Sequence, residues 1–140
     1  YKKMVQVYNA MDIFHLPTTG EGFGIPIIEA MACGIPCVVT DYTTTKELIL
    51  DELQCGLPVP IVAEITGGWS VERAVMDEKK AAEAILMLYQ NKDLYGIFSQ
   101  NAREKVIRNY AWDVVMPQWM KLFSKPKMYE QVAMSATIGV

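Results

Sequence analysis

An α/β fold with a parallel sheet is predicted by three observations. Two apolar runs, Ile13-Phe14-His15-Leu16 and Cys37-Val38-Val39, flank a glycine-rich stretch that leads into a helical pattern, so residues 12–40 read as strand, tight loop, helix, strand. The first run ends at Pro17, as a buried parallel strand does when its last residues open into a binding loop. The second half of the chain carries helical patterns and no comparable strands. The order β-α-β-α-β followed by three helices supplies about three strands, too few for a doubly wound sheet with strands on both sides of its crevice. The expectation is a partial Rossmann-like parallel sheet flanked by helices, the C-terminal half of a larger domain.

Each element has its own signal. Residues 2–9, with Met4, Val5 and Tyr8 on an apolar face, read as the end of a helix. Residues 12–17 are the first strand and 18–24 the loop. The helix then starts at Gly24 or Ile25, with Pro26 in its first turn where a missing N–H is harmless, and stops at Gly34. A strand over 36–40 follows, and the hydroxyl-rich Asp41-Tyr42-Thr43-Thr44 caps a helix over about 45–50. Residues 56–62 hold two prolines and read as a last short edge strand. Residues 63–75, with Gly67-Gly68-Trp69-Ser70, read as a loop or insertion. Residues 77–89 form a helix with Ala81, Ala84, Ile85 and Leu88 on one face and Lys79, Lys80 and Glu83 on the other. Residues 91–109 read as a second, and Tyr110-Ala111-Trp112-Asp113 opens a third.

Composition narrows the function classes. The 140 residues suit one domain or part of one. With 13 basic and 16 acidic residues the formal net charge is -3, and the basic residues are scattered, so nucleic acid is not an expected partner. No stretch nears the roughly 20 apolar residues that span a bilayer, and no secretory signal is visible, which sets a cytoplasmic expectation. Cys33, Cys37 and Cys55 make no C-x-x-C pair and read as ordinary thiols. His15 is a lone histidine inside a strand, so no metal site is expected.

The loop carries the chemistry. Gly20, Gly22 and Gly24 alternate and let a ligand approach the main chain. The dinucleotide fingerprint does not fit, because Ile27 stands where its third glycine belongs, and no Gly-Lys-Ser/Thr marks a Walker loop. The helix mouth suits a phosphate. Glu21 sits in the turn, and Glu29 lies four residues beyond Ile25 on the same helix face, about 6 Å further along. Carboxylates so placed accept hydrogen bonds from vicinal diols. The bland alternative makes Glu21 a solvated loop acid and Glu29 part of a wet helix face. Between Lys3 and Lys46 there is no lysine or arginine, so cations for a diphosphate must come from elsewhere in the polypeptide.

Glu21-Gly22-Phe23-Gly24-Ile25-Pro26 with Glu29, followed by Ala30-Met31-Ala32-Cys33-Gly34-Ile35-Pro36 and Glu47, resembles the C-terminal donor-binding domain of retaining GT-B glycosyltransferases, the family 4-like enzymes also described as glycosyl transferases group 1. The resemblance covers roughly the first 60 residues well and extends less distinctively to the terminal helices. It implies that residues 1–123 are the C-terminal part of a nucleotide-sugar-binding Rossmann-like domain, the second domain of a GT-B fold, and that 124–140 are a tail or return segment. It further implies that Glu21 contacts donor-sugar hydroxyls and is the catalytic candidate, that Glu29 contacts ribose hydroxyls, and that Gly22, Phe23, Gly24 and Ile25 line the donor. The family's arginine and lysine that neutralise the diphosphate have no counterpart here, so this chain alone is expected to be inactive. Thr43-Thr44-Thr45 stands where the family has a glycine pair, and Thr43 and Thr44 join the donor-binding set.

The implied reaction moves a sugar from a nucleoside diphosphate sugar, UDP- or GDP-linked, to a sugar, polysaccharide or lipid-linked acceptor, with no cofactor. A double displacement needs a carboxylate nucleophile at the anomeric carbon, and a Glu21 bound to sugar hydroxyls is turned from it, so same-face entry of the acceptor is favoured. The implied partners are the upstream half of this domain and an N-terminal GT-B domain. Peripheral attachment at the inner membrane face stays open beside the cytoplasmic location. A nucleotide-sugar epimerase of GT-B architecture and a noncatalytic sugar-nucleotide-binding module remain alternatives.

Overall fold

The structure, a computed structural model, describes residues 2–50 and 53–124. Its elements are α1 (Lys2–Asn9), β1 (Phe14–Leu16), α2 (Ile25–Ala32), β2 (Cys37–Thr40), α3 (Thr44–Leu50), β3 (Gly56–Val59), β4 (Ile61–Thr66), β5 (Glu72–Met76), α4 (Glu78–Gln90), α5 (Lys92–Asn109) and α6 (Trp112–Phe123), with a short 3-10 turn at Gly68–Ser70. The chain forms two compact units that divide between Ile107 and Arg108. The tail expected over 124–140 lies, beyond Ser124, outside the described residues.

The first unit is built on a three-stranded parallel sheet in the order β1-β2-β3, with Phe14 opposite Cys37 and Cys37 opposite Gly56. The α/β class and the parallel sheet are as the sequence predicts. β2 is buried at all four positions, which its apolar run requires in the central strand. The sequence predicts a buried β1; among the described residues it pairs with β2 alone and is only partly buried. Alternation along β2 turns Val38 to one face, where it meets Val59, Ala81, Leu88 and Phe98, and turns Cys37 and Val39 to the other. Burying each such side chain contributes about 1.5–3 kcal/mol, so this central strand anchors the unit.

The helices keep their sequence signals. Asp77 caps α4, its carboxylate accepting from the amides of Lys79 and Lys80. Gly34 closes α2 in a left-handed conformation with φ +73, and a Cβ there would stand 3.3 Å from Ser99 Oγ. Ser99 in turn donates to Gly34 O at 2.6 Å, and Arg103 donates to Ala32 O, so α5 closes over the carbonyls at the end of α2. Lys105 is 1% exposed, with Nζ 3.5 Å from Glu47 O.

Two expectations are corrected beyond β3. The strand expected over 56–62 breaks at Pro60 into β3 and β4, because a proline interrupts ladder bonding. The loop or insertion expected over 63–75 is an antiparallel hairpin, β4 against β5, with Ile65 opposite Arg73 and Glu64 opposite Ala74. β4 is exposed over most of its length, so its sequence lacks the buried alternation that marks a strand.

In the second unit, α6 carries Asp113 in its first turn and Lys121 in its last, each complementing the helix dipole, and stacks Trp119 on Phe123 with ring centroids 5.6 Å apart. Among the described residues, no helix is long and apolar enough to cross a membrane.

Candidate functional site

The loop between β1 and α2 and the segment between β2 and α3 leave the same end of adjacent parallel strands, and threonines bind them together. Thr40 Oγ1, at the end of β2, donates to Thr18 O at 2.7 Å. Thr43 Oγ1 accepts from the Glu21 amide at 3.0 Å. Thr44 Oγ1 donates to the carbonyls of Glu21 and Phe23 at 3.3 and 3.2 Å. The two expected hydroxyl residues thus bond to the loop's main chain. Thr43 holds a left-handed φ of 52, uncommon for a β-branched residue.

Glu21 is fixed inside this frame. Thr18 Oγ1 donates to Glu21 Oε1 at 2.8 Å, which sets the carboxylate over its own loop. Gly22 has nothing within 4 Å of where a Cβ would stand, so the main chain is open to close approach there. Gly24 caps α2 with φ 93, ψ 48, and its carbonyl accepts from the Ile27 amide at 3.0 Å. Pro26 has no N–H, so Gly24 and Ile25 supply the amides at the helix mouth. Phe23 and Ile25 are 50% and 62% exposed beside it.

Glu29 lies one turn deeper, half-buried, and the Tyr8 hydroxyl donates to its Oε2 at 2.8 Å. Tyr8 itself is 6% exposed, its ring 6.0 Å from that of Phe14. Burial, and then the Glu29 carboxylate, push its hydroxyl up to about 12. The structure therefore gathers Glu21, Gly22, Phe23, Gly24, Ile25, Thr43 and Thr44 at one strand end. It places Glu29 behind them on α2, joined to α1.

Sequence reasoning missed two contacts. The sequence pattern gives Tyr8 only as part of an apolar face, and its partner lies 21 positions away. The hairpin reaches the loop as well: Ala74 N donates to Thr19 O at 3.0 Å and Arg73 Nη1 to Thr19 Oγ1 at 3.3 Å. Beside these contacts is an open groove of about 410 Å³ lined by His15, Pro17, Thr19, Ala74, Met76 and Ile85, among others. A Gly-Gly pair between the β-branched run Ile61 to Thr66 and Val71 was the signal for the hairpin.

Other chemistry-bearing groups are structural here. His15 Nδ1 lies 2.9 Å from Val38 O. Cys37 and Cys55 are buried, and burial raises both thiols, Cys37 well above the ordinary value and Cys55 to about 11. Among the described residues, no group of three His, Cys, Asp or Glu side chains could hold a metal ion.

Comparison with known proteins bears on this geometry. A family model described as glycosyl transferases group 1 matches residues 1–105. Alpha-maltose-1-phosphate synthase of Mycolicibacterium smegmatis is 27% identical over 123 residues, 88% of this chain and 30% of its own length. O-antigen chain mannosyltransferase B of Escherichia coli is 44% identical over 45 residues, 32% of this chain and 12% of its own. Sucrose-phosphate synthase from Thermosynechococcus elongatus superposes with a TM-score of 0.67 at 25% identity, covering 92% of this chain and 27% of that one. The chain thus spans less than a third of the length of each of these relatives.

Proposed function

The chain belongs to the glycosyl transferases group 1 family, and from that premise we propose that it forms part of the donor site of a retaining glycosyltransferase that takes a sugar from a UDP- or GDP-sugar. The observation that carries the reading is the Thr18-held Glu21 at the mouth of α2, in the crevice beyond the ends of β1 and β2. In open parallel sheets that crevice is where ligands bind.

The roles follow from position. Glu21 accepts hydrogen bonds from donor-sugar hydroxyls with the oxygen that Thr18 leaves to it. Glu29, one helical turn deeper and oriented by Tyr8, accepts from the ribose hydroxyls. The amides of Gly24 and Ile25 and the α2 dipole face the phosphate side, where negative charge develops as the leaving diphosphate departs. Because Glu21 is committed to hydroxyls, the acceptor enters on the face the diphosphate leaves, and the anomeric configuration is retained. The acceptor is a sugar, polysaccharide or lipid-linked sugar, and the upstream half of the domain and an N-terminal domain complete the cleft. The protein works in the cytoplasm, where nucleotide sugars are available to it.

Titration of the full-length protein with UDP- and GDP-sugars tests the proposal. One of them is expected to bind and to be transferred or slowly hydrolysed. Glu29→Ala is expected to weaken its binding about tenfold, a loss of one charge-assisted contact. Calorimetry showing equal dissociation constants for the variant and the parent rejects the ribose role.

A further inference from the structure

Arg73 brings to the candidate cleft a positive charge that the segment building it lacks. The sequence holds no lysine or arginine between Lys3 and Lys46, yet β5 lays Arg73 against the loop that carries Glu21. Two consecutive residues bond to one threonine: Arg73 Nη1 to Thr19 Oγ1 at 3.3 Å and Ala74 N to Thr19 O at 3.0 Å. The second bond pairs the outer edge of the hairpin with the loop backbone, so the guanidinium is delivered by a bonded strand. The side chain runs across Gly67, where a Cβ would stand 2.9 Å from Arg73 Nε and 3.1 Å from Cδ, and glycine leaves that path clear. Among the described residues Arg73 makes no ion pair, whereas Lys46 is paired with Asp41 and Lys80 with Glu83. A guanidinium has five N–H donors in a planar fork, and Thr19 engages one.

An exposed, carboxylate-free guanidinium tethered at the C-terminal end of a parallel strand matches one ligand chemistry best, the paired oxygens of a phosphate group. We propose that Arg73 binds a phosphate held beside Thr19, which makes the β4–β5 hairpin part of the ligand cleft. The nature of the ligand rests on the donor reading above. The phosphate belongs either to the donor diphosphate or to a phosphorylated acceptor, and both present the same oxygens to the fork.

The test uses the full-length protein and calorimetric titration with UDP, GDP and inorganic phosphate. Arg73→Gln is expected to weaken whichever nucleotide binds about tenfold, and Arg73→Lys to weaken it less, because lysine keeps the charge without the fork. Unchanged urea midpoints are expected for both, since Arg73 is exposed. That result assigns the donor diphosphate. Unchanged nucleotide affinity with loss of inorganic phosphate binding to the nucleotide-saturated protein assigns the acceptor phosphate. Equal affinity of parent and Arg73→Gln for both probes overturns the proposal. A parent protein that binds neither UDP nor GDP overturns the donor reading instead, and the inorganic phosphate titration then reads Arg73 on its own.

Discussion

The Tyr8 hydroxyl donates to Glu29 Oε2 across 2.8 Å, joining α1 to the helix that carries the second candidate acid. Tyr8→Phe keeps the ring against Phe14 and removes that one bond. A bond to a charged acceptor in a half-buried place contributes about 1–2 kcal/mol, so the urea midpoint should fall accordingly. If Tyr8 orients Glu29 for ribose, donor affinity should fall about threefold or more in the same variant. A variant that loses stability but keeps full affinity would make the contact purely structural.

The same pair sets an alkaline limit. The Tyr8 hydroxyl stands at about 12 when folded, against an ordinary 10.0, so the folded state holds its proton more tightly. The sign follows from linkage: this contribution is complete below pH 10 and is lost as pH rises from 10 through 12. Stability curves of the parent and Tyr8→Phe should therefore converge over that interval. Parallel curves through it would rule out the raised hydroxyl.

Alanine should cost stability at Gly24 and only binding at Gly22. At Gly24 a Cβ would meet side-chain atoms of Ile27 and Leu48, both at 3.1 Å, on a backbone with φ +93. Gly24→Ala is expected to cost about 1–3 kcal/mol in denaturant unfolding. Gly22→Ala, in open space, should leave stability within about 0.5 kcal/mol while weakening nucleotide-sugar binding. Undiminished binding in the second variant would show that no ligand nears the main chain there.

Thr18→Val should separate orientation from binding. It removes the hydroxyl that holds Glu21 Oε1 and that also accepts from the Gly20 amide at 3.2 Å, while the Tyr8 bond to Glu29 is untouched. Steady-state kinetics of the full-length protein should show kcat falling about tenfold or more with a smaller change in the donor KM, because the loss lies in positioning. An unchanged kcat would remove Glu21 from the reacting end of the donor.

Thiol labelling offers a check on the core. Cys37 and Cys55 are buried with raised thiols, so an alkylating reagent should leave both unmodified in the native protein and label them in denaturant. Native labelling of Cys37 would contradict the central placement of β2.

The parallel sheet and its loop were legible because punctuation and packing agree there. Pro17 ends one apolar run, Gly34 and Pro36 precede the next, and Cys37, Val38 and Val39 are all fully buried, so hydrophobicity reports their place directly. The Glu21 and Glu29 spacing was legible for the same reason, since both sit on elements whose starts are marked by glycine and proline. The hairpin was not, because Val62 is 62% exposed and Ile65 51%, and burial rather than local propensity creates the pattern read as a strand. The Arg73 to Thr19 contact joins positions 54 apart, and only the folded course of β5 along the loop brings them together. Thr43 and Thr44 were expected at the ligand, but their bonds to the loop backbone depend on two strand ends meeting at one level.

The hairpin's link to Thr19 separates two jobs that usually share residues. β2 and the side chains around Val38 hold the fold, while the largely exposed β4 hangs outside that core and touches the loop through its partner strand. Recharging the exposed positions of β4 would change the surface beside the Thr19 loop, while Ala74 and Met76 of β5 stay packed inward. If the proposed cleft holds a ligand, its preference should shift with exposed β4 residues such as Val62, Glu64 and Ile65 while the sheet stays as it is.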